Sequence, residues 1–316
     1  MVLMERTDVV VIGAGISGLT TAVTLAETGL SVGILAERDP TRTNSAKAGA
    51  SWGPYMVSDD RVLRWSKETF GALAQIAAEP GSGVRMVPGV EAFEEQVDEP
   101  PSWALEVPDF ARGLPPGLPA RYVDGWRYTV PIVDMPVYLD YLSRRFTDAG
   151  GAIEIGRAVT GFTDVAADHR PGTVLVNCTG AASRFLVPDE TLTAVRGQLV
   201  LVENPGIGEF FQDNPHGPDL TCIFPHADYV VLGGNASPDV ADTRPDPRVA
   251  EQILARCREV EPRLDGARVI GHRVGLRPNR PNVRVEWDAL ADFPLLHNYG
   301  HGGSGVTLSW GCAFEV

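Results

Sequence analysis

DVVVIGAGISGLTTAVTLAETG, residues 8–29, is the stretch that decides the fold of this chain. Asp8–Ile12 is a short β-branched run, which is typical of a buried parallel strand. The glycines of GAGISG stand at positions 13, 15 and 18, and the helical pattern that follows them ends at Gly29. A second strand-like run, LSVGILAE, ends at Glu37. The order strand, glycine turn, helix and strand predicts a βαβ unit of a doubly wound sheet.

The glycine spacing is that of a dinucleotide site. Gly13 permits the tight turn, Gly15 leaves room for a pyrophosphate, and Gly18 lets the helix lie close to the strand. Free N–H groups and the helix dipole favour negative phosphates at this helix start. Glu37, nineteen residues after Gly18, can accept hydrogen bonds from an adenosine ribose. The motif predicts nucleotide binding and leaves NAD and FAD both open; the alternative is a Rossmann-like unit with an empty crevice.

Composition and charge limit the class of protein. The 316 residues are 44% hydrophobic and 22% charged, as in folded globular proteins. There are 27 Lys and Arg against 41 Asp and Glu, and the net charge of −14 argues against nucleic-acid or anionic-membrane partners. No apolar run approaches the ~20 residues of a membrane span. Since the first residues also lack the order of a signal peptide, we expect a cytoplasmic protein.

The four cysteines stand at positions 178, 222, 257 and 312 and form no CxxC pair. Such spacing, without an export signal, is typical of reduced thiols rather than of a disulfide framework or a zinc site. We expect no metal.

The middle of the chain continues the same architecture. MPVYLDYLSRRFTDAGG (135–151) and Asp246–Glu259 have helical patterns. VLVNCTG (174–180) predicts a strand beside the first one, with Thr179 and Gly180 near the cofactor; an ordinary buried strand with a turn is the alternative. QLVLVE, DYVVLGG and further alternation between 198 and 286 predict antiparallel strands in a second sheet.

These elements predict an α/β fold with two interwoven domains. The first is a Rossmann-like FAD- or NAD-binding domain with a parallel sheet, formed by residues 1–52, 145–190 and 290–316. The second is an α+β substrate domain built on an antiparallel sheet, formed by residues 53–144 and 191–289.

The chain resembles the D-amino-acid oxidase family, whose members are FAD-dependent and have a glutathione-reductase-like fold, and a bacterial type is indicated. The tail HNYGHGGSGVTLSWGCA (297–313) carries the family signature, and PIVDMP, VNCTG, VRGQLV and GLRPNRP match in order. The resemblance implies FAD as the cofactor, with substrates bound over its reactive face. It implies conversion of a D-amino acid, O2 and water to a 2-oxo acid, ammonia and hydrogen peroxide, with hydride passing from Cα to flavin N5. A homodimer is common in the family.

The resemblance also assigns the cofactor residues. It places the turn at the pyrophosphate, Glu37 and Arg38 at the ribose, the run 43–45 at phosphate and ribityl, and the strip 49–51 beside the isoalloxazine. Val159 would meet adenine through its main chain, and the terminal glycines would line the flavin's pyrimidine edge. With Thr179 and Gly180 from the strand pattern, the predicted set is Gly13, Ala14, Gly15, Ile16, Ser17, Gly18, Glu37, Arg38, Thr43, Asn44, Ser45, Gly49, Ala50, Ser51, Val159, Thr179, Gly180, Gly302, Gly305, Val306 and Thr307.

Arg277 is the residue that the resemblance assigns to the substrate. A guanidinium can hold a carboxylate through two parallel hydrogen bonds, and the main-chain carbonyl of Gly303 would accept from the substrate amine. No general base is required if the amine arrives neutral. We expect the other arginines of the segment, at 273, 280 and 284, to be structural. His297, Tyr299, His301 and Trp310 are expected to serve packing, with a catalytic histidine as the alternative.

Cys222 departs from the family pattern. It stands where relatives carry a tyrosine that binds the carboxylate, and Pro218 stands where some carry a second one. A thiol is smaller and a poorer donor than a phenol, and Tyr229 lies seven positions away. Either a larger D-substrate fills the space, with loops 53–57 and 208–222 setting its side chain, or catalysis is impaired. A flavin-binding protein without turnover is therefore one alternative. A D-aspartate or D-glutamate oxidase of the same fold is another, and it needs a further cation in the pocket, for which the sequence offers no unambiguous residue.

Overall fold

A computed structural model describes residues 7–213, 219–238 and 240–316. The strands are β1 (Val9–Ile12), β2 (Val32–Ala36), β3 (Val84–Phe93), β4 (Ala111–Arg112), β5 (Asp124–Val133), β6 (Ala152–Ile155), β7 (Val174–Asn177), β8 (Thr193–Glu203), β9 (Phe210–Asp213), β10 (Asp219–Pro225), β11 (Tyr229–Asn235), β12 (Ser237–Pro238), β13 (Val269–Trp287) and β14 (Leu295–His301). The helices are α1 (Ile16–Glu27), α2 (Val62–Ile76), α3 (Ser102–Glu106), α4 (Met135–Asp148), α5 (Phe162–Ala167), α6 (Pro247–Val260) and α7 (Ser309–Glu315).

One half of the molecule is the predicted parallel sheet. Its strands lie in the order β14-β7-β1-β2-β6, and each neighbouring pair is parallel. The strand β1 is buried along its whole length, with Val9 and Val11 packed on the α1 side and Val10 and Ile12 on the α5 side. Helices on both faces explain why this strand reads as a continuous apolar run.

The other half is built from antiparallel strands, as predicted, but the prediction of a second, separate sheet was wrong. The strand β13 spans 19 residues, pairs with β8 over Val269–Asn279 and then with β14 over Arg284–Trp287. An irregularity between Asn279 and Arg284 separates the two pairings. This long strand joins both halves into one sheet, fourteen-stranded in the described part of the chain. The continuous apolar runs of the parallel strands and the alternating pattern of the antiparallel strands therefore belong to one hydrogen-bonded sheet.

The antiparallel half has one face covered by α6 and one face turned toward the parallel half. Ile253 and Cys257 of α6 pack against Ile223 and Leu232 on the first face. Cys222, one residue before Ile223, belongs to the core on the opposite face. The alternation of side chains along β10 thus directs Cys222 toward the predicted cofactor loops.

The helix α2 was not predicted. Val62, Trp65, Leu73 and Ile76 have the spacing of one helical face, but Ser66 and Thr69 are buried on the same face. These polar residues interrupt the periodic spacing of apolar residues by which a helix is recognised in a sequence. Within the described ranges, no helix combines the length and apolar character needed to cross a membrane.

Candidate active site

The glycine turn after β1 is too tightly packed for side chains. Gly13 has a φ of 107°, and a Cβ placed on it would lie 2.6 Å from the carbonyl oxygen of Cys178. A Cβ on Gly18 would lie 1.9 Å from the carbonyl oxygen of Gly13. The turn therefore touches the residues after β7, and β7 pairs with β1 as the strand pattern predicted. The nearness of Thr179 and Gly180 to the cofactor stays a prediction.

A second loop reaches the turn through Ser45. The Ser45 hydroxyl accepts a hydrogen bond from the Ile16 N–H at 2.9 Å and lies 3.0 Å from where a Cβ on Gly15 would be. The Ser45 side chain thus lies at the start of α1, where its N–H groups emerge.

The neighbours of Ser45 have partners within the protein. The Thr43 hydroxyl donates to the Pro40 carbonyl at 2.7 Å. The Asn44 amide bonds both main-chain groups of Leu276, at 2.5 and 2.8 Å. Asn44 therefore ties this loop to β13, one residue before Arg277, and its reach to the cofactor stays a prediction.

The predicted ribose and adenine residues lie at the edge of the parallel sheet. Glu37 and Arg38 follow β2 directly and are exposed. Val159 follows β6 and packs at the margin of the core beneath α5. The order of these strands brings all three to the carboxyl edge of the sheet, where doubly wound proteins bind ligands.

The strip 49–51 passes between the two halves of the molecule. Ala50 has a φ of 62°, and its carbonyl accepts from the Val133 N–H at 2.8 Å. A Cβ on Gly49 would lie 3.3 Å from the Phe224 ring. Ser51 pairs with Ile132 of β5 as an isolated bridge. The backbone of the strip 49–51 is thus held in place by hydrogen bonds. Its small side chains would permit a ligand to approach this backbone closely.

The terminal glycine loop is clamped to residues 53–56, which we call the Tyr55 loop. The Ser304 hydroxyl accepts from the Tyr55 N–H at 2.6 Å and donates to the Tyr55 carbonyl at 2.7 Å. Thr307 makes the same pair of bonds with Gly53, at 3.1 and 2.9 Å. A Cβ on Gly303 would lie 2.4 Å from Cδ1 of Tyr55. The terminal glycine loop and the Tyr55 loop, which lies in the segment predicted to shape the substrate side-chain pocket, are therefore held as one unit.

The histidines of the tail have protein partners. His301 Nε2 lies 3.0 Å from the side-chain amide oxygen of Asn298, and its Nδ1 lies 3.4 Å from the Ser17 hydroxyl. Burial lowers the pKa of His301 to about 4, so the ring is neutral at pH 7. His297 contacts Asn177 and Asp288. These contacts suit the predicted packing role, and the link from His301 to Ser17 ties the tail to the glycine turn.

The two remaining tail aromatics also have partners inside the fold. The Tyr299 hydroxyl donates to Asp189 at 2.7 Å, and the Trp310 indole N–H donates to the Tyr138 hydroxyl at 2.8 Å.

Arg277 is an arginine without a carboxylate partner among the described residues. Its Nη1 donates to the Asn235 carbonyl at 3.0 Å, and a Cβ on Gly197 would lie 2.4 Å from the same atom. Its Cζ lies 5.9 Å from the centre of the Tyr55 ring. Burial lowers the pKa of Arg277, and Tyr55 and Cys222 act in the opposite direction. A guanidinium in this setting is a ready site for an anion.

The neighbouring arginines are paired within the protein, as expected. Arg280 lies 2.8 Å from the Asp189 carboxylate and Arg284 lies 2.8 Å from that of Glu286. Arg273 donates to the Tyr229 hydroxyl at 3.2 Å.

Cys222 lies on the same side of the sheet as Arg277. It is 3% exposed, and burial holds the pKa of its thiol well above the usual value, so it stays protonated. Tyr229 stacks on His226 and bonds Arg273, so it does not replace the missing phenol. Pro218 lies outside the described residues. The phenol beside Arg277 is Tyr55, which the sequence did not single out because it is distant in the chain from both Arg277 and Cys222.

Known proteins resemble this chain over nearly its full length. The profile of the DAO family, described as FAD dependent oxidoreductase, matches residues 8–316. A D-amino-acid oxidase from Rubrobacter xylanophilus is 44% identical over 309 residues, which cover 97% of this chain and 94% of that protein. A D-aspartate oxidase from Homo sapiens is 35% identical over 328 residues, covering 99% and 94%. A glycine oxidase structure from Geobacillus kaustophilus has a TM-score of 0.80 at 17% identity, covering 98% of this chain and 93% of that chain, which is a likeness of fold.

Proposed function

This chain belongs to the DAO family of FAD-dependent oxidoreductases, and from that premise we propose that it oxidises D-amino acids. The reaction converts a D-amino acid, O2 and water to a 2-oxo acid, ammonia and hydrogen peroxide. The observation that carries the proposal is Arg277, a guanidinium that lacks a carboxylate partner among the described residues and lies beside the Tyr55 loop. The α-carboxylate of an amino acid is the anion that suits it.

The cofactor FAD, predicted from the resemblance, is confirmed by the family. The glycine turn fits it, because the positions at 13 and 18 have no room for a Cβ, a Cβ at 15 would crowd the Ser45 hydroxyl, and the start of α1 presents N–H groups. We assign the pyrophosphate to this turn with Ser45, the ribose to Glu37, and the flavin ring to the strips 49–51 and 302–307. Bound by these residues, FAD would supply the acceptor for the hydride of the substrate Cα and the route of its electrons to O2.

The protein's own contribution is positioning. Arg277 fixes the carboxylate with two parallel hydrogen bonds, and the Gly303 carbonyl accepts from the substrate amine. These two contacts leave one face of Cα directed at the cofactor, which selects one enantiomer. No side chain needs to remove the Cα proton as a base, since hydride departs with its electron pair.

We propose neutral D-amino acids rather than acidic ones as substrates. A side-chain carboxylate needs a second cation, and the other arginines of β13, at 273, 280 and 284, are already engaged with protein groups. The described residues of β9 and β10 carry acidic side chains, Asp213 and Asp219, and no basic ones.

The proposed domains follow the two halves of the sheet. β1, β2, β6, β7 and β14 fall within residues 1–52, 145–190 and 290–316, and the other strands fall within 53–144 and 191–289. Only α4 crosses this division, since it begins at Met135 and packs on α1. A cytoplasmic location is supported by the four free, buried thiols, and a homodimer is proposed from the family.

The experiment is an anaerobic titration of the yellow holoprotein with single amino acids, followed by peroxide detection in air. We expect neutral D-amino acids to bleach the flavin absorbance and release peroxide. The matched L-enantiomers should do neither. Faster bleaching by D-aspartate or D-glutamate would identify an acidic-substrate oxidase instead, and no bleaching by any D-amino acid would indicate a flavin-binding protein without turnover.

A further inference from the structure

We propose that the Tyr55 hydroxyl donates to the substrate carboxylate held by Arg277, and so supplies the phenol that Cys222 does not. The inference rests on the proposed oxidation of D-amino acids and names a binding residue for it. It assigns to a loop a contact that the family pattern places on the strand β10.

The position of the Tyr55 ring is the first observation. The ring lies beside the Arg277 guanidinium, with 5.9 Å between its centre and Cζ. The two side chains make no hydrogen bond with each other in the described part of the chain; the guanidinium donates to Asn235 instead. A carboxylate bound by Arg277 would therefore lie close to the Tyr55 ring.

The rigidity of the Tyr55 loop is the second observation. Ser304 bonds both main-chain groups of Tyr55, and Thr307 bonds both main-chain groups of Gly53. The absence of a side chain on Gly303 lets the phenol ring pack directly against the loop whose carbonyl is assigned to the substrate amine. A donor fixed in this way loses little entropy when it binds, which is what a positioning contact requires.

The charges around the phenol favour its donor form. Burial raises the pKa of Tyr55, Arg277 opposes this rise, and Cys222 and Asp213 add to it. The hydroxyl is therefore protonated at neutral pH and able to donate. The thiol of Cys222 is also protonated, but as a weak donor it does not compete for the carboxylate.

The test compares Tyr55→Phe with wild type as yellow holoproteins, using benzoate as a carboxylate probe that perturbs the flavin spectrum. We expect Tyr55→Phe to weaken benzoate binding and raise KM for a neutral D-amino acid by about tenfold or more, as loss of a hydrogen bond to a charged group does. The change in kcat should be smaller. The control is Tyr141→Phe on α4, which removes a hydroxyl that donates to Glu79. This variant should change neither benzoate affinity nor KM.

A second variant makes the result specific. In Tyr55→Phe with Cys222→Tyr, a phenol returns from the strand, and benzoate affinity should recover. The affinity of the wild-type protein for benzoate should also fall at alkaline pH, because the phenol ionises and repels the carboxylate. This alkaline decrease should be absent from Tyr55→Phe. Unchanged benzoate binding by Tyr55→Phe, or its loss of FAD, would overturn the inference. Wild-type bleaching by D-amino acids tests the proposed function separately.

Discussion

The space around the Arg277 guanidinium is made by a residue without a side chain. Gly197 lies on the neighbouring strand β8, and its missing Cβ leaves the guanidinium 2.4 to 2.6 Å from the position that a methyl group would take. The Asn235 carbonyl then holds one nitrogen, which leaves the others for a ligand. The identity of one glycine thus determines where a charge on another strand can lie.

Removing the charge should weaken substrate binding strongly without disturbing the cofactor. In Arg277→Met the stem remains and the two hydrogen bonds to the carboxylate are lost. We expect kcat/KM for neutral D-amino acids to fall by about thirtyfold or more, since truncating one partner of a desolvated charge pair costs ~2–5 kcal/mol. Steady-state kinetics and the FAD content measure this together. A wild-type KM in Arg277→Met would contradict the assigned role.

Filling the space beneath the guanidinium should act more weakly in the same direction. Gly197→Ala places a methyl group against the guanidinium, which must move. We expect KM to rise about tenfold with little change in kcat, because the carboxylate is still bound but shifted. Gly71→Ala on α2 is the control, since a Cβ there meets nothing within 4 Å. An equal KM in the two variants would exclude Gly197 from positioning Arg277.

At the scale of elements, the site depends on hydrogen bonds between segments that are distant in the sequence. Ser304 holds the Tyr55 loop, Asn44 holds β13, and Ser45 holds the start of α1. Each of these short polar side chains satisfies main-chain groups of a segment that is distant in sequence. The positions of the cofactor loops therefore depend on a few side-chain to main-chain hydrogen bonds.

The clamp on the Tyr55 loop can be loosened by Ser304→Ala. The substitution removes two hydrogen bonds to Tyr55, at 2.6 and 2.7 Å, and leaves the Thr307 pair in place. We expect KM to rise several-fold, since a mobile loop must be ordered by the substrate. Ser143→Ala removes a hydroxyl bonded to Leu139 on α4 and serves as the control. Identical kinetics in the two variants would show that the clamp is dispensable.

The sequence predicted the local elements of the site. It did not predict which of these elements lie next to one another in the folded protein. The strand β1, its glycine turn and α1 were predictable because their signals lie within about twenty residues and follow from backbone sterics. The proximity of Tyr55 to Arg277 joins two segments that are far apart in the chain, which no local pattern reports. The joined sheet was missed for the same reason, and α2 because polar Ser66 and Thr69 lie on its buried face.

At the scale of the whole molecule, the tail and the first turn form one buried network. Asn298 donates to Thr21 of α1 and accepts from His301, whose other nitrogen contacts Ser17. Residues from the two ends of the chain are thus connected around the predicted cofactor. Folding of the tail and order of the pyrophosphate turn are expected to be coupled.

The neutral state of His301 makes stability depend on pH. Its pKa in the folded protein is about 4, below the ordinary 6.5, because it is buried. Between these values the unfolded chain binds a proton that the folded one does not, so stability is full above pH 6.5 and falls as pH drops toward 4. We expect a loss of about 3 kcal/mol from this group.

Urea unfolding at pH 7 and pH 4.5 measures the effect. The loss on acidification should be smaller in His301→Gln than in wild type, and His272→Gln, at an exposed position, should behave as wild type. An equal pH dependence in all three proteins would mean that folding does not lower the pKa of His301, so that it is already protonated in the folded protein at pH 4.5.

The central claim is that FAD lies between the turn at 13–18 and the loop at 302–307, with Arg277 binding a carboxylate over the ring. A crystal structure of the yellow holoprotein with bound benzoate tests it most directly. We predict both carboxylate oxygens within hydrogen-bonding distance of the Arg277 guanidinium, on the open face of the isoalloxazine. A guanidinium directed away from that face, or a flavin bound outside these two glycine segments, would contradict the account.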